Sequence, residues 1–314
     1  MTVHLFKALS DETRLRLLRI LIDHKLSVNE LVSILEMGQS RISRHLRILT
    51  EAGLLTSRRD GLWVFYQANS EGEHNDFLSA ITPYLKNIPE AAHDDERTMR
   101  LVEEKQAKSR QFFNDIAEDW DILNKEILGD FDLPGRVFEA MPERCHLAVD
   151  LGCGTGSVMR QMLGRADGVI GVDISSGMLD ACRRTFADVP DAEHRISLRI
   201  GEMEHLPLRD QEADFASVNL VLHHLPRPEL ALPEIRRILS PSGRLFISDF
   251  EKHSDEYMRE RYGDLWLGFD PMKLAVTLRE AGFSRTTIHK QKVNRNLTLI
   301  LITSYVSAPV SRPV

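Results

Sequence analysis

From Cys145 to Val306, short runs rich in β-favouring residues alternate with amphipathic stretches. The strand candidates are "HLAVDL", "GVIGVDI", "RISLRIG", "DFASVNLVL", "GRLFISDF", "RTTIHKQK" and "LTLILITSYV". Helical stretches "GSVMRQMLGR", "GMLDACRRTFADV" and "PELALPEIRRILS" lie among the first five, and "PMKLAVTLREAG" precedes the last two. A strand that reaches its neighbour through a helix runs parallel to it. The alternation therefore predicts a mostly parallel sheet with both faces covered. Only "KVNRN" separates the final two strands, too short for a crossover, so they should pair antiparallel at the sheet's end.

The first 95 residues follow another rhythm. Leu5, Leu9, Leu15, Leu18, Leu21 and Ile22 recur at helical spacing, and Ser10-Asp11-Glu12 reads as a helix start, which favours two helices over one. Ser27 and Glu30 have capping-box spacing ahead of an apolar stripe. Gly38 breaks that helix, and "QSRISRHLRILTEAG" forms the next, closed by Gly53. "LLTSRRDGLWVFYQAN" is a hairpin signal around Asp60-Gly61. Helix, turn, helix, hairpin is the order of a winged helix-turn-helix. From Asn75 to Asp119 the pattern is helical again, with a break at Pro89, an acidic loop "HDDE", and a charged stretch that suits one long connecting helix.

The 314-residue length favours two domains. The expected division is a DNA-binding unit over 1–95, a helical linker over 96–110, an α/β domain over 111–305 and a disordered tail over 306–314. The fold class is thus a winged helix-turn-helix followed by a Rossmann-like α/β domain. No apolar run approaches the roughly 18 residues of a membrane helix, and the N-terminus lacks a signal peptide's apolar core. The three cysteines, Cys145, Cys153 and Cys182, do not form a disulfide pattern. A cytoplasmic protein is expected.

The net charge of −7 excludes a chain that coats nucleic acid without selectivity, so any DNA contact needs a local basic patch. One exists. Between Gly38 and Leu62 five arginines stand against Glu51 and Asp60, a local +3. Ile42, Leu46 and Leu49 should be the buried side of the second helix. Gln39, Ser40, Arg41, Ser43, Arg44 and His45 then become candidates for DNA contact near its N-terminal half, with Arg58 and Arg59 on the wing. Arginine suits guanine and glutamine suits adenine in the major groove.

"FKALSDETRLRLLRIL", "QSRISRHLRILTEAGLL" and "RRDGLWVFYQA" resemble the winged-helix core of the ArsR/SmtB family of bacterial repressors, over about residues 3 to 69. The resemblance implies a homodimer on a palindromic double-stranded operator. Many members sense metals, but no cysteine precedes Cys145, which excludes a thiolate site in this unit. His74, Asp76, His93 and Asp94 are the alternative ligand types, and no metal is expected there.

"AVDLGCGTGSV" closes a strand and opens a helix. Counting from Gly152 and Gly154, the third glycine of a dinucleotide fingerprint would fall on Ser157, so that fingerprint fails. The pattern instead resembles class I S-adenosylmethionine (SAM) methyltransferases, over about residues 111 to 303, with "GEMEHLPL" and "LHHL" in the matching order and "FFNDIAEDWD" like a helix that caps the cofactor. The resemblance implies SAM or S-adenosylhomocysteine (SAH) as ligand. It assigns the loop to Asp150, Gly152, Gly154 and Gly156, the ribose to Asp173 beside Ile174, and the adenine to Glu202 and Met203. Asn219 closes the fourth strand beside them.

The strand-four end reads "NLVLHHLPRP", without an amino-methylating motif. His223 or His224 is a candidate general base; alternatively one packs on the sheet edge and the other is solvated. Residues 251–269 fall where a methyl acceptor should bind and suit either a lid or a packing helix. An arsenic methyltransferase would need cysteines at that face, and none lies there. Two functions remain in view: a regulator that couples SAM or SAH level to operator binding, or an active methyltransferase of a small-molecule acceptor tethered to a DNA-binding domain. An open acceptor cavity at the ends of strands four and five would favour the enzyme, and a filled one the sensor.

Overall fold

The computed structural model describes residues 2–69 and 72–307. The tail expected from 306 lies, beyond Ser307, outside the described residues. The chain divides into two compact units, 1–107 and 108–314.

The first unit contains α1 (Thr2–Leu9), α2 (Glu12–Asp23), β1 (Leu26–Ser27), α3 (Val28–Leu35), α4 (Gln39–Glu51), β2 (Leu55–Asp60), β3 (Trp63–Ala68) and α5 (Gly72–Leu85), and α6 (Ala91–Ile116) begins in it. Helix starts are capped as the sequence indicates. The Asp11 side chain accepts from the Arg14 amide, and Ser27 and Glu30 form a complete capping box. Leu17, Leu18, Leu31, Ile42, Leu46 and Leu49 are fully buried in one cluster. Each contributes about 1.5–3 kcal/mol relative to exposure. The strands form a small antiparallel sheet in the order β1-β3-β2.

Two sequence expectations change here. Asp60 pairs with Trp63, so the hairpin turns on Gly61-Leu62, one residue later than expected; Gly61 has φ 56°. The "HDDE" segment is not a loop but the first turns of α6. Its carboxylates face α2. Arg16 holds Asp94 through two hydrogen bonds, Nε to Oδ2 at 2.7 Å and Nη2 to Oδ1 at 2.6 Å, and Arg19 pairs with Asp95. Acidic side chains near a helix N-terminus also suit its dipole. Charge composition suggested a solvated loop, whereas the partners lie 78 residues away in sequence.

The second unit continues with α7 (Trp120–Leu128), α8 (Leu133–Ala140), β4 (Cys145–Leu151), α9 (Ser157–Met162), β5 (Ala166–Asp173), α10 (Ser176–Thr185), α11 (Ala192–Arg195), β6 (Ile196–Ile200) and β7 (Ala213–Asn219). It closes with α12 (Pro228–Ile238), β8 (Leu239–Phe250), α13 (Tyr257–Tyr262), α14 (Pro271–Glu280), β9 (Phe283–Lys292) and β10 (Thr298–Val306). The seven-stranded sheet has the order β6-β5-β4-β7-β8-β10-β9. Its first five strands are parallel, and β10 inserts antiparallel between β8 and β9. The order reverses at β4, which has β5 on one side and β7 on the other. In open α/β sheets a crevice forms at such a reversal, outside the carboxyl ends of the strands.

Candidate functional site

The two units carry separate candidate sites. On α4, Gln39, Ser40, Arg41, Ser43 and Arg44 are exposed, while Ile42, Leu46 and Leu49 are fully buried. His45 corrects the sequence reading. It is buried, with Nδ1 3.7 Å from Asp11 Oδ1. Positions 42, 45, 46 and 49 follow the i, i+3, i+4, i+7 spacing of one helix face, so His45 belongs to the core stripe rather than the outward face. Burial lowers its pKa against the pull of Asp11. Arg41 Nη2 donates to Thr13 Oγ1 at 3.3 Å. On the wing, Arg58 pairs with the fully buried Asp60 at 3.2 Å, and Arg59 Nε donates to the Gly61 carbonyl at 3.3 Å. Arg59 is exposed and Arg58 half-buried, as the two faces of a strand require.

In the second unit the loop after β4 folds back on β5. The Gly152 and Cys153 amides both donate to the Val172 carbonyl. Gly156 has φ 86°, and a Cβ there would stand 2.6 Å from Cys182 Sγ. Only glycine meets both conditions at low cost. Asp173 closes β5 and is nearly buried. Its Oδ2 accepts from the Gly154 amide and its Oδ1 from the Ser175 amide, each at 2.9 Å. A carboxylate has about four lone-pair sites; the Ile174 amide also reaches this one, which leaves one for a hydroxyl donor. The Gly201 amide donates to the Asp173 carbonyl at 3.1 Å, which brings Glu202 and the buried Met203 to the same strand end. Ile174 is half-buried beside them.

Asp150 is 2% exposed. Its Oδ1 accepts from Ser217 Oγ at 2.5 Å and from Asn219 Nδ2 at 3.2 Å, both on β7. Burial pushes its pKa up to about 7, against the lowering effect of those two hydrogen bonds. All nine residues expected to form the cofactor site therefore gather at the carboxyl ends of β4 to β7.

Several neighbours were not singled out from sequence. Asn114 Oδ1 accepts from Ser175 Oγ and the Gly177 amide at 2.7 and 3.1 Å. Thr155 Oγ1 donates to Asp121 at 2.6 Å, and Trp120 lies over Gly154, where a Cβ would meet its Nε1 at 3.3 Å. The segment "FFNDIAEDWD" was the available signal, but periodicity does not say which of its side chains turn inward.

His223 and His224 lie in a 3₁₀ turn after β7, and both are buried. This overturns one of the two sequence alternatives, in which one of them is solvated. His223 Nδ1 donates to Asp249 Oδ1 at 2.8 Å, and its carbonyl accepts the Leu265 and Trp266 amides. Burial alone would lower the His223 pKa, but Asp249 and Asp264 outweigh it and raise it to about 9. Burial and the neighbouring His223 hold His224 well below the ordinary value. Residues 251–269 close over this strand end. Glu251 bridges Phe269, Trp266 Nε1 donates to the Leu225 carbonyl at 2.8 Å, and Leu267 is fully buried.

A doubly wound sheet with a glycine-rich first turn and a ribose-type carboxylate at the second strand end defines a class I methyltransferase fold. A winged helix precedes it. Comparison with known proteins agrees. Residues 149–247 match the family described as "Methyltransferase domain", and residues 11–57 match "Bacterial regulatory protein, arsR family". The chain is 32% identical over 177 residues to a demethylmenaquinone methyltransferase of Symbiobacterium thermophilum, covering 54% of this chain and 70% of that one. It is 49% identical over 67 residues to the arsenic resistance transcriptional regulator ArsR1 of Pseudomonas putida, covering 21% of this chain and 52% of that one. The solved [4+2]-cyclase SpnF shares the fold at TM-score 0.54 and 17% identity, over 64% of this chain and 96% of that one.

The chain belongs to the class I SAM-dependent methyltransferases, with an arsR-type regulator domain at its N-terminal side. Its residues fit SAM or SAH: a carboxylate with a spare acceptor site at Asp173, a glycine cradle, and a buried carboxyl at Asp150. Among the described residues, no helix is long and apolar enough to cross a membrane.

Proposed function

We propose that this protein is an arsR-type transcriptional regulator whose affinity for its operator responds to SAM or SAH bound in the second unit. What supports this reading is burial where a methyl acceptor would enter: at the ends of β7 and β8, His223, His224, Asp264, Trp266 and Leu267 are all buried. The cofactor loop beside them is formed. A domain with the cofactor loop formed and this strand end closed suits ligand sensing, alongside any methyl transfer.

In this reading Asp173 holds the ribose, the loop amides after β4 meet the carboxylate end, and Asp150 faces the amine. Glu202 and Met203 border the adenine, with Ile174 and Asn219 completing the wall. SAM supplies a methyl group on a sulfonium; SAH lacks that charge. Gln39, Ser40, Arg41, Ser43 and Arg44 read the major groove and Arg58 and Arg59 hold the backbone of double-stranded DNA. The protein works as a cytoplasmic homodimer on a palindromic site. The exposed Val3 and Phe6 of α1 and Tyr84 of α5 offer apolar surface for that pairing.

The test is operator affinity on the gene's own upstream region at fixed salt, without ligand, with SAM and with SAH. A change of about 5- to 150-fold with either ligand, the usual span of allosteric coupling, supports the reading. Equal affinity in all three conditions, with SAM still bound and a small-molecule acceptor methylated, would replace it with the tethered enzyme.

A further inference from the structure

Asp264 is a buried carboxyl near His223 that accepts no hydrogen bond. It is 3% exposed, and neither of its carboxylate oxygens has a hydrogen-bond partner. Its Oδ1 stands 3.6 Å from His223 Nε2. His223, His224 and Asp264 each bring one ligand-capable atom within 4.8 Å of the others, the one such group found among the described residues.

The surroundings are arranged as around a metal. His223 Nδ1 donates to Asp249 at 2.8 Å, and His224 Nδ1 faces the Gly263 carbonyl at 3.3 Å. Each ring therefore has its Nδ1 engaged, which leaves Nε2 as the nitrogen that would ligate once it carries no proton. Metal-ligating histidines are commonly oriented in this way, by a carboxylate or carbonyl on the far nitrogen. The rings of Phe113, 4.8 Å from His224, and Phe250, 5.2 Å from His223, wall the cluster from water.

We propose that His223, His224 and Asp264 form a binding site for a borderline divalent transition cation, of the Zn²⁺, Co²⁺ or Fe²⁺ kind. Two imidazole nitrogens and one carboxylate oxygen suit these ions, whereas Mg²⁺ and Ca²⁺ prefer all-oxygen sets. Ligand distances of about 2.0–2.1 Å require donor atoms roughly 3.3 Å apart in a tetrahedral site. The His223–Asp264 pair is close to this, and the third donor needs only to close in. The site does not depend on the sensing reading, because it holds for an enzyme or a regulator.

The test uses the full chain, stripped with a chelator and then dialysed against Zn²⁺ or Co²⁺. We expect one ion per chain by elemental analysis, a ligand-field spectrum with Co²⁺, and a melting temperature that rises with Zn²⁺. Asp264→Asn and His224→Gln should each weaken Co²⁺ binding at least about tenfold. Circular dichroism of the metal-free variants reports whether they fold, and Asp264→Asn should, since it is nearly isosteric and replaces a buried carboxyl that accepts no hydrogen bond. Failure of the wild-type chain to take up stoichiometric metal would overturn the proposal. So would variants that bind Co²⁺ as tightly as wild type, because the ion would then sit on other histidines.

Discussion

The two units place their charged side chains in opposite ways. In the winged helix the candidate DNA-contact arginines Arg41, Arg44 and Arg59 are exposed, and two carboxyls are taken inside against arginines: Asp94, fully matched by Arg16, and Asp60 beside the half-buried Arg58. In the methyltransferase unit the candidate carboxyls are inside. Asp150, Asp173 and Asp264 are all nearly buried, and burial raises the pKa of each. In the proposed function the first arrangement recognises a polyanion from the surface, where affinity depends on salt. The second recognises a small polar ligand from within, where affinity depends on protonation and on which hydrogen bonds are already made.

The sharpest way to break this contrast is to remove the matched pair. Asp94→Ala leaves the Arg16 guanidinium buried without its partner. It should destabilise the first unit by about 3–5 kcal/mol, read as the midpoint of its denaturant transition. A change below about 1 kcal/mol would mean that the pair is solvated. Next in size is Asp173→Ala, which removes a carboxylate able to serve a ribose hydroxyl. SAH affinity measured by calorimetry should fall about 100-fold. Ligand-free DNA binding should not change, and if it does the two sites are not separable.

On the surface side, Arg44→Ala should weaken operator binding by about 1–3 kcal/mol and lower selectivity at one base position. His45→Ala should act through stability instead, because His45 sits in the core stripe. The smallest effect is that of pH. The ammonium of SAM needs an ionised Asp150, whose pKa is raised to about 7. Cofactor affinity should therefore fall as pH drops through 7, by about tenfold between pH 8 and 6. Asp150→Asn should flatten the profile. For stability the sign is opposite. A carboxyl with a raised folded-state pKa favours folding most when protonated, so the contributions of Asp150 and Asp264 are lost as pH rises from about 4 through 7.

The sheet, its glycine loop and the winged helix were legible because each rests on local pattern: alternation, capping at Ser27, and glycines at positive φ. Asp150 and Asp173 were legible because the resemblance to class I methyltransferases assigns those positions, near the ends of β4 and β5. What was hidden depends on distant partners. Whether "HDDE" is loop or helix turns on Arg16 and Arg19, far away in sequence. The fate of His223 and His224 turns on how residues 251–269 fold back, which no periodicity in that charged and aromatic stretch reveals. Asn114 and Trp120 stood in a recognised segment, but their inward direction is set by the packing of Ser175 and Gly154.

The central claim is that the buried cofactor site and the exposed arginine face are thermodynamically linked. Linkage is reciprocal, so the most direct measurement is SAH and SAM affinity with and without saturating operator DNA. The account predicts that DNA shifts the affinity of one of them by the same factor, in the same direction, as that ligand shifts operator binding. Identical affinities for both ligands in the presence and absence of operator would contradict it.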